Sequence, residues 1–113
     1  MDEFIKKIVA LGVPGIILTI AIATSGFAGA AAITTALAVL GGPGGMIVGI
    51  GVLGVTGLIS HALAEFGTEQ VITAIVKEQL KTKSRNQIIS EVEKYPITKG
   101  LKLKIIDKIK TVN

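Results

Sequence analysis

The side chain with the strongest claim to chemistry is His61. It is the one titratable group in the run from Ile8 to Ala64, which holds no Asp, Glu, Lys or Arg. An ionisable residue in a segment that enters a membrane marks a functional position, because burying its charge there is costly. Its place in the sequence offers a plainer account. Glu65 follows four residues later, one helical turn away, and can pair with His61 at the edge of the apolar run. One histidine without cysteine or a nearby acidic pair builds neither a metal site nor a proton relay. The chain has no cysteine, so disulfides, thiolate ligands and Cys nucleophiles are excluded. No catalytic constellation and no cofactor are expected.

Two glycine patterns also invite a chemical reading. Gly49-Ile-Gly51-Val-Leu-Gly54 fits the dinucleotide fingerprint G-x-G-x-x-G, which needs a strand before it, a helix after it and an acid ending a second strand. Met46-Ile-Val can supply the first strand, residues 55–66 the helix, and Val71 to Glu78 the second strand. Too little chain follows Glu78 to complete a doubly wound sheet, which counts against a soluble nucleotide-binding fragment. The second pattern is the four-residue spacing of Gly41, Gly45 and Gly49, repeated by Gly26 and Ala30. Residues four apart share a helix face, and small side chains let two backbones approach closely there. Gly26, Ala30, Gly45 and Gly49 are therefore the expected helix-packing positions, within the chain or between copies. A glycine-rich run also produces such spacings by chance.

The third signal is charge. Residues 65–113 hold ten Lys/Arg against six acids, and Lys99, Lys102, Lys104, Lys108 and Lys110 crowd its end. Near an anionic membrane each such cation gains about 1 kcal/mol, so these five are the expected lipid-surface residues. The interspersed acids allow an ordinary solvated face instead. Nucleic acid is not an expected partner, since no aromatic residues interleave the lysines and no RNA-binding motif is present.

These groups sit on elements that the sequence outlines. The chain has 113 residues, enough for one domain. Half its residues are apolar and only 18% are charged, against about 25% in soluble domains. Mean hydropathy is +0.68, and the basic tail accounts for the isoelectric point of 9.5. Trp is absent, so the usual aromatic belt of a membrane protein is missing.

Residues 2–11 read as a short amphipathic helix with Phe4, Ile5, Ile8 and Leu11 at helical spacing, interrupted by Gly12. Pro14 suits the first turn of a new helix. From there to Leu40 the chain is either one long helix or two, broken at Thr24-Ser25-Gly26. Gly41-Gly42-Pro43-Gly44-Gly45 is the strongest breaker and the expected turn of a helical hairpin. Residues 46–64 follow as 19 uncharged positions, close to one membrane crossing.

Beyond Ala64 the pattern becomes amphipathic. Thr68 is an expected cap for a helix to about Leu80, with Val71, Ile72, Ile75 and Val76 on one side. Ser84-Arg-Asn-Gln87 fits a capping box, opening a helix with Ile88, Ile89, Val92 and Tyr95 that Pro96 ends. Thr98 is expected to cap a last helix with Leu101, Ile105, Ile106 and Ile109 inward and Lys99, Lys104 and Lys108 outward. A secretory signal is suggested by residues 8–20 and Ala21-Ile-Ala23, but Asp2 and Glu3 spoil its basic start.

The segments Gly26-Phe-Ala-Gly-Ala-Ala-Ala-Ile33, Gly41 to Gly45 with Gly49, and Leu53-Gly-Val-Thr-Gly-Leu58 resemble the interferon-inducible small glycine-rich hydrophobic protein family. The resemblance covers about a third of the chain and implies a multi-helix organelle-membrane protein without enzymatic activity, linked to cell death or antiviral responses. The tail after Glu65 departs from that family.

The expectation is an all-α chain: an amphipathic N-terminal helix (1–13), a glycine-rich apolar membrane hairpin (14–66) and a basic amphipathic helical tail (67–113). Lys6 and Lys7 at one end and the Lys-rich tail at the other favour two crossings with both termini cytoplasmic. The expected function is membrane insertion with self-association into a homo-oligomer that alters permeability, as a pore-former or cell-death effector does. Two readings stand beside it: a membrane-anchored adaptor whose tail binds a protein partner, and a soluble helical oligomer or nucleotide-binding fragment through residues 49–54.

Overall fold

A computed structural model describes residues 1–25 and 52–112, and every described element is an α-helix. They are α1 (Asp2–Val9), α2 (Val13–Ser25), α3 (Val52–Phe66), α4 (Thr68–Leu80), α5 (Arg85–Glu93) and α6 (Lys99–Thr111).

The first helix obeys its charges. Asp2 and Glu3 sit in its first turn and Lys6 and Lys7 in its last, matching the helix dipole at both ends. Ile5 and Ile8 face inward. The helix stops short of Leu11, and Gly12 then turns the chain at φ 78°, a conformation open to glycine because it lacks Cβ. The axis swings by 117° between α1 and Val13–Thr24.

The sharp corner brings the backbones of α1 and α2 together at Gly15. A Cβ placed there would lie 2.3 Å from the Ile8 carbonyl oxygen. Only glycine permits that approach.

Helix α2 is the centre of the packing. It touches each of the other five described helices, and every residue from Val13 to Ile22 is buried. An all-round apolar helix needs such a sheath. Its threonine hydroxyls are satisfied internally: Thr19 Oγ1 donates to the Gly15 carbonyl at 2.7 Å, and Thr24 Oγ1 to the Ile20 carbonyl at 3.0 Å. Back-bonding of this kind lets a polar side chain ride in an apolar helix.

The surrounding helices are one-sided. Helix α3 presents Val55, Ile59, Ala62 and Leu63 to the core, and α4 presents Val71, Ile72, Ile75 and Val76. Gln79 is buried with them and its Nε2 donates to the Val9 carbonyl at 3.3 Å, fastening α4 to the end of α1. Helices α5 and α6 pack on each other and on α2 through Ile88, Val92, Ile105 and Ile109. All of these belong to one apolar cluster. The described parts of the segments read from sequence as N-terminal helix, apolar body and basic tail therefore share a core.

Two details differ from the sequence reading. Thr68 does not cap α4. Gly67 takes that place with φ 91° and no side-chain bond, and Thr68 is the first helical residue. Glycine reverses the chain in one step there, so no loop residue remains to serve as a cap. Helix α5 ends at Glu93, before Tyr95, because the residue preceding Pro96 is pushed out of the helical region.

Candidate functional site

The residues that drew attention as chemistry fall in three places. His61 lies on the exposed side of α3, near its end. Its Nε2 is 2.8 Å from Glu65 Oε2, with side chains 62% and 50% exposed. The Phe4 ring of α1 stacks beside it at 5.1 Å between centroids, and Phe4 also meets Phe66 at 5.8 Å. His61 is thus part of a surface corner joining α1 to α3, paired locally as its spacing from Glu65 suggested. Among the described residues no group of three His, Asp or Glu side chains is placed to hold a metal ion.

The second place is the apolar centre. Ile16, Ile17, Leu18, Ile20 and Ile22 are fully enclosed, and no charged side chain lies between Ile8 and Ala64. The hairpin turn Gly41 to Gly45 and the packing positions Gly26, Ala30, Gly45 and Gly49 lie outside the described residues. So do Gly49 and Gly51 of the dinucleotide pattern. Its remaining context is helical: Gly54 is in α3, and Val71 to Glu78, which that reading needs as a strand, lies within α4. No single described helix is long and apolar enough to cross a membrane, although α1 and Val13–Thr24 pass that test as a bent pair.

The third place is the basic end. Lys99, Lys104 and Lys110 are exposed on α6. The other two lysines of that set are engaged within the fold. Lys102 Nζ donates to the Glu93 carbonyl at 2.9 Å, and Lys108 Nζ lies 2.7 Å from Glu69 Oε1 of α4. Helix ends add further ties. Ser84 Oγ accepts from the Gln87 backbone N–H at 3.1 Å while Gln87 Oε1 accepts from the Ser84 N–H at 2.9 Å, completing the capping box. Thr98 Oγ1 accepts from the Leu101 N–H at 3.2 Å. The Arg85 guanidinium donates to the Ile109 carbonyl, joining the start of α5 to the end of α6.

Sequence reasoning missed the corner around Gly12. Lys83, Glu91, Lys94, Tyr95 and Pro96 gather beside Gly12, Val13 and Pro14 around a cleft of about 570 Å³. Some seventy residues separate its two walls in sequence, so no local pattern announces it. Comparison with protein-family models, with curated proteins and with solved structures finds no match to this chain.

Proposed function

We propose that this chain is a non-enzymatic, membrane-inserting protein that self-associates in the bilayer through its uncharged apolar segment and raises the permeability of the membrane. The observation that carries the reading is α2. It is apolar on every side, stands in a sequence without charge from Ile8 to Ala64, and is wrapped by helices that it contacts on all sides. Transfer of such a segment into lipid leaves no ion to desolvate, and its backbone groups are already satisfied as helix. Thr19 and Thr24 take their hydrogen bonds with them. The outward side of α3 exposes the small residues Gly54 and Gly57 toward its start, away from the exposed His61–Glu65 pair near its end, and that stretch suits close approach of a second helix. The exposed Lys99, Lys104 and Lys110 suit the initial encounter with anionic lipid. Both termini stay on the cytoplasmic side in this scheme.

The test is leakage of dye-loaded liposomes containing anionic lipid, with carbonate-washed membranes as a parallel measure of insertion. Release rising with protein-to-lipid ratio supports the proposal; vesicles that stay sealed at high ratio defeat it.

One observation favours a second reading, a helical domain or oligomer in which α2 is simply the core. Every residue from Val13 to Ile22 is covered by protein, which is how an all-round apolar helix sits in the core of such a domain. Full recovery of untagged protein without detergent would favour it. The adaptor reading draws less support, because Ile105 and Ile109 of the tail share their core with α2.

A further inference from the structure

The cleft beside the α1–α2 corner has the size of a ligand site, about 570 Å³, within the range of pockets that hold small molecules. Its walls differ in chemistry. Val13 and Pro14 give an apolar wall at the start of α2, and Pro96 faces it from beyond α5. Pro14 has no N–H, and the Gly15 N–H is already bonded to the Gly12 carbonyl at 2.9 Å. The start of α2 keeps only the Val13 N–H for an anion among these three positions, and most polar recognition falls to side chains.

Those side chains leave a net positive mouth. Lys83 Nζ lies 3.1 Å and 3.4 Å from the two Glu91 carboxylate oxygens, so that pair cancels. Lys94 is exposed at the rim and has no carboxylate partner among the described residues. The Tyr95 hydroxyl also has no hydrogen-bond partner among them. Burial, and then the charge of Glu91, hold its proton above the usual tyrosine range, so it remains a donor. A free ammonium and a phenol donor beside an apolar wall describe a site for an anion that carries an apolar substituent.

We propose that this cleft binds a phosphoester amphiphile, with the anionic head at Lys94, Tyr95 and Lys83 and the apolar substituent against Val13, Pro14 and Pro96. The shared chemistry fits the headgroup region of an anionic phospholipid or a soluble organic phosphate. The cleft exists in the folded chain, so binding requires no insertion and stands apart from the permeability reading.

The chain carries its own probe. Tyr95 is the single tyrosine and there is no tryptophan, so tyrosine emission reports from this cleft alone. The full-length protein would be titrated with dihexanoyl phosphatidylglycerol below its micelle concentration, with dihexanoyl phosphatidylcholine and with inorganic phosphate. The expected result is a saturable change with the anionic lipid and none with the other two over the same concentrations. Lys94→Gln should weaken it about tenfold, the loss of one charge-assisted hydrogen bond. Lys83→Gln, which also leaves Glu91 facing the head unpaired, should weaken it further.

Equal saturation by phosphatidylcholine would overturn the anionic head, and equal saturation by inorganic phosphate would overturn the apolar substituent. An unchanged affinity in a folded Lys94→Gln protein would overturn the placement. Because no bilayer is present, these failures are separate from sealed liposomes, which would defeat insertion alone.

Discussion

Helix α2, over its described residues, and helix α6 have opposite designs. Helix α2 contains no charge and buries every residue from Val13 to Ile22. Helix α6 buries Ile105 and Ile109 fully and exposes Leu103, Lys104, Asp107 and Lys110. It carries its own start signal in Thr98 and places Lys108 and Lys110 in its last turn, where cations favour the dipole. Helix α2 is rich in isoleucine, whose stiff branched side chain lowers helix propensity, and has no charge at either end. Its helicity depends on the five helices around it, whereas α6 owes part of its stability to local sequence. Substitutions should therefore be costly where coverage matters and mild where capping and surface charge matter.

The sharpest way to break this contrast is one substitution made twice. Leu18 is fully enclosed, while Leu103 is 61% exposed. Leu18→Lys buries an unpaired charge and should cost about 4 kcal/mol or more, a large share of a typical folding free energy of roughly 5–15 kcal/mol. Leu103→Lys should fall within about 0.5 kcal/mol of the parent. Urea unfolding followed by circular dichroism reads both. Similar midpoints would remove α2 from the centre of the fold.

Glycine supplies the next contrast. Gly15→Ala forces a methyl group 2.3 Å from the Ile8 carbonyl oxygen and 3.2 Å from Ile8 Cγ2. The first contact is with backbone, so the α1–α2 corner must shift, at about 1–3 kcal/mol. Gly57 lies on the exposed side of α3 with nothing within 4 Å of an added Cβ. Gly57→Ala should stabilise by about 0.5–1 kcal/mol through helix propensity alone. Thermal melts of the two variants should move in opposite directions.

The sequence exposes these regions unequally, for physical reasons. The tail was legible because capping and amphipathic spacing are local. Ser84 and Gln87 form their box, Thr98 caps α6, and Ile105 and Ile109 face inward as their spacing requires. The pairing of His61 with Glu65 was legible on the same ground. Helix α2 showed only that it must avoid water, and an apolar helix looks alike whether lipid or protein covers it. The close approach at Gly15 was illegible because it depends on the 117° corner. The contact of Gln79 with the Val9 carbonyl and the cleft at Lys94 and Tyr95 join distant residues, and spacing carries no information about them.

Caps test how far local sequence supports the tail. Ser84→Ala and Thr98→Ala should each cost about 1 kcal/mol. They start different helices and share no partner, so the double variant should lose close to the sum. Thr68→Ala should cost much less than either, because Gly67 occupies the cap of α4 and Thr68 makes no capping bond. A Thr68→Ala loss as large as that of Thr98→Ala would restore the sequence-based assignment of that cap. Denaturant midpoints measured together resolve these differences.

The smallest effect belongs to the pair between Lys108 and Glu69, which ties the end of α6 to the start of α4 at 2.7 Å. Glu69 is 73% exposed and Lys108 34%, so solvent screens the attraction and the pair should contribute about 0.2–1 kcal/mol. Single substitutions overstate it. Lys108→Ala also removes a cation from the last turn of α6, and Glu69→Gln removes an acid from the first turn of α4, each favourable to its helix dipole. A double-mutant cycle subtracts those helix-end effects and leaves the coupling between the two side chains. That coupling should shrink when salt is raised from about 0.01 M to 1 M, as the screening length falls from about 30 Å to 3 Å. A coupling that persists at high salt would mean that the contact holds α6 on the core by packing of the Lys108 stem, and the tail would then depend on burial as α2 does.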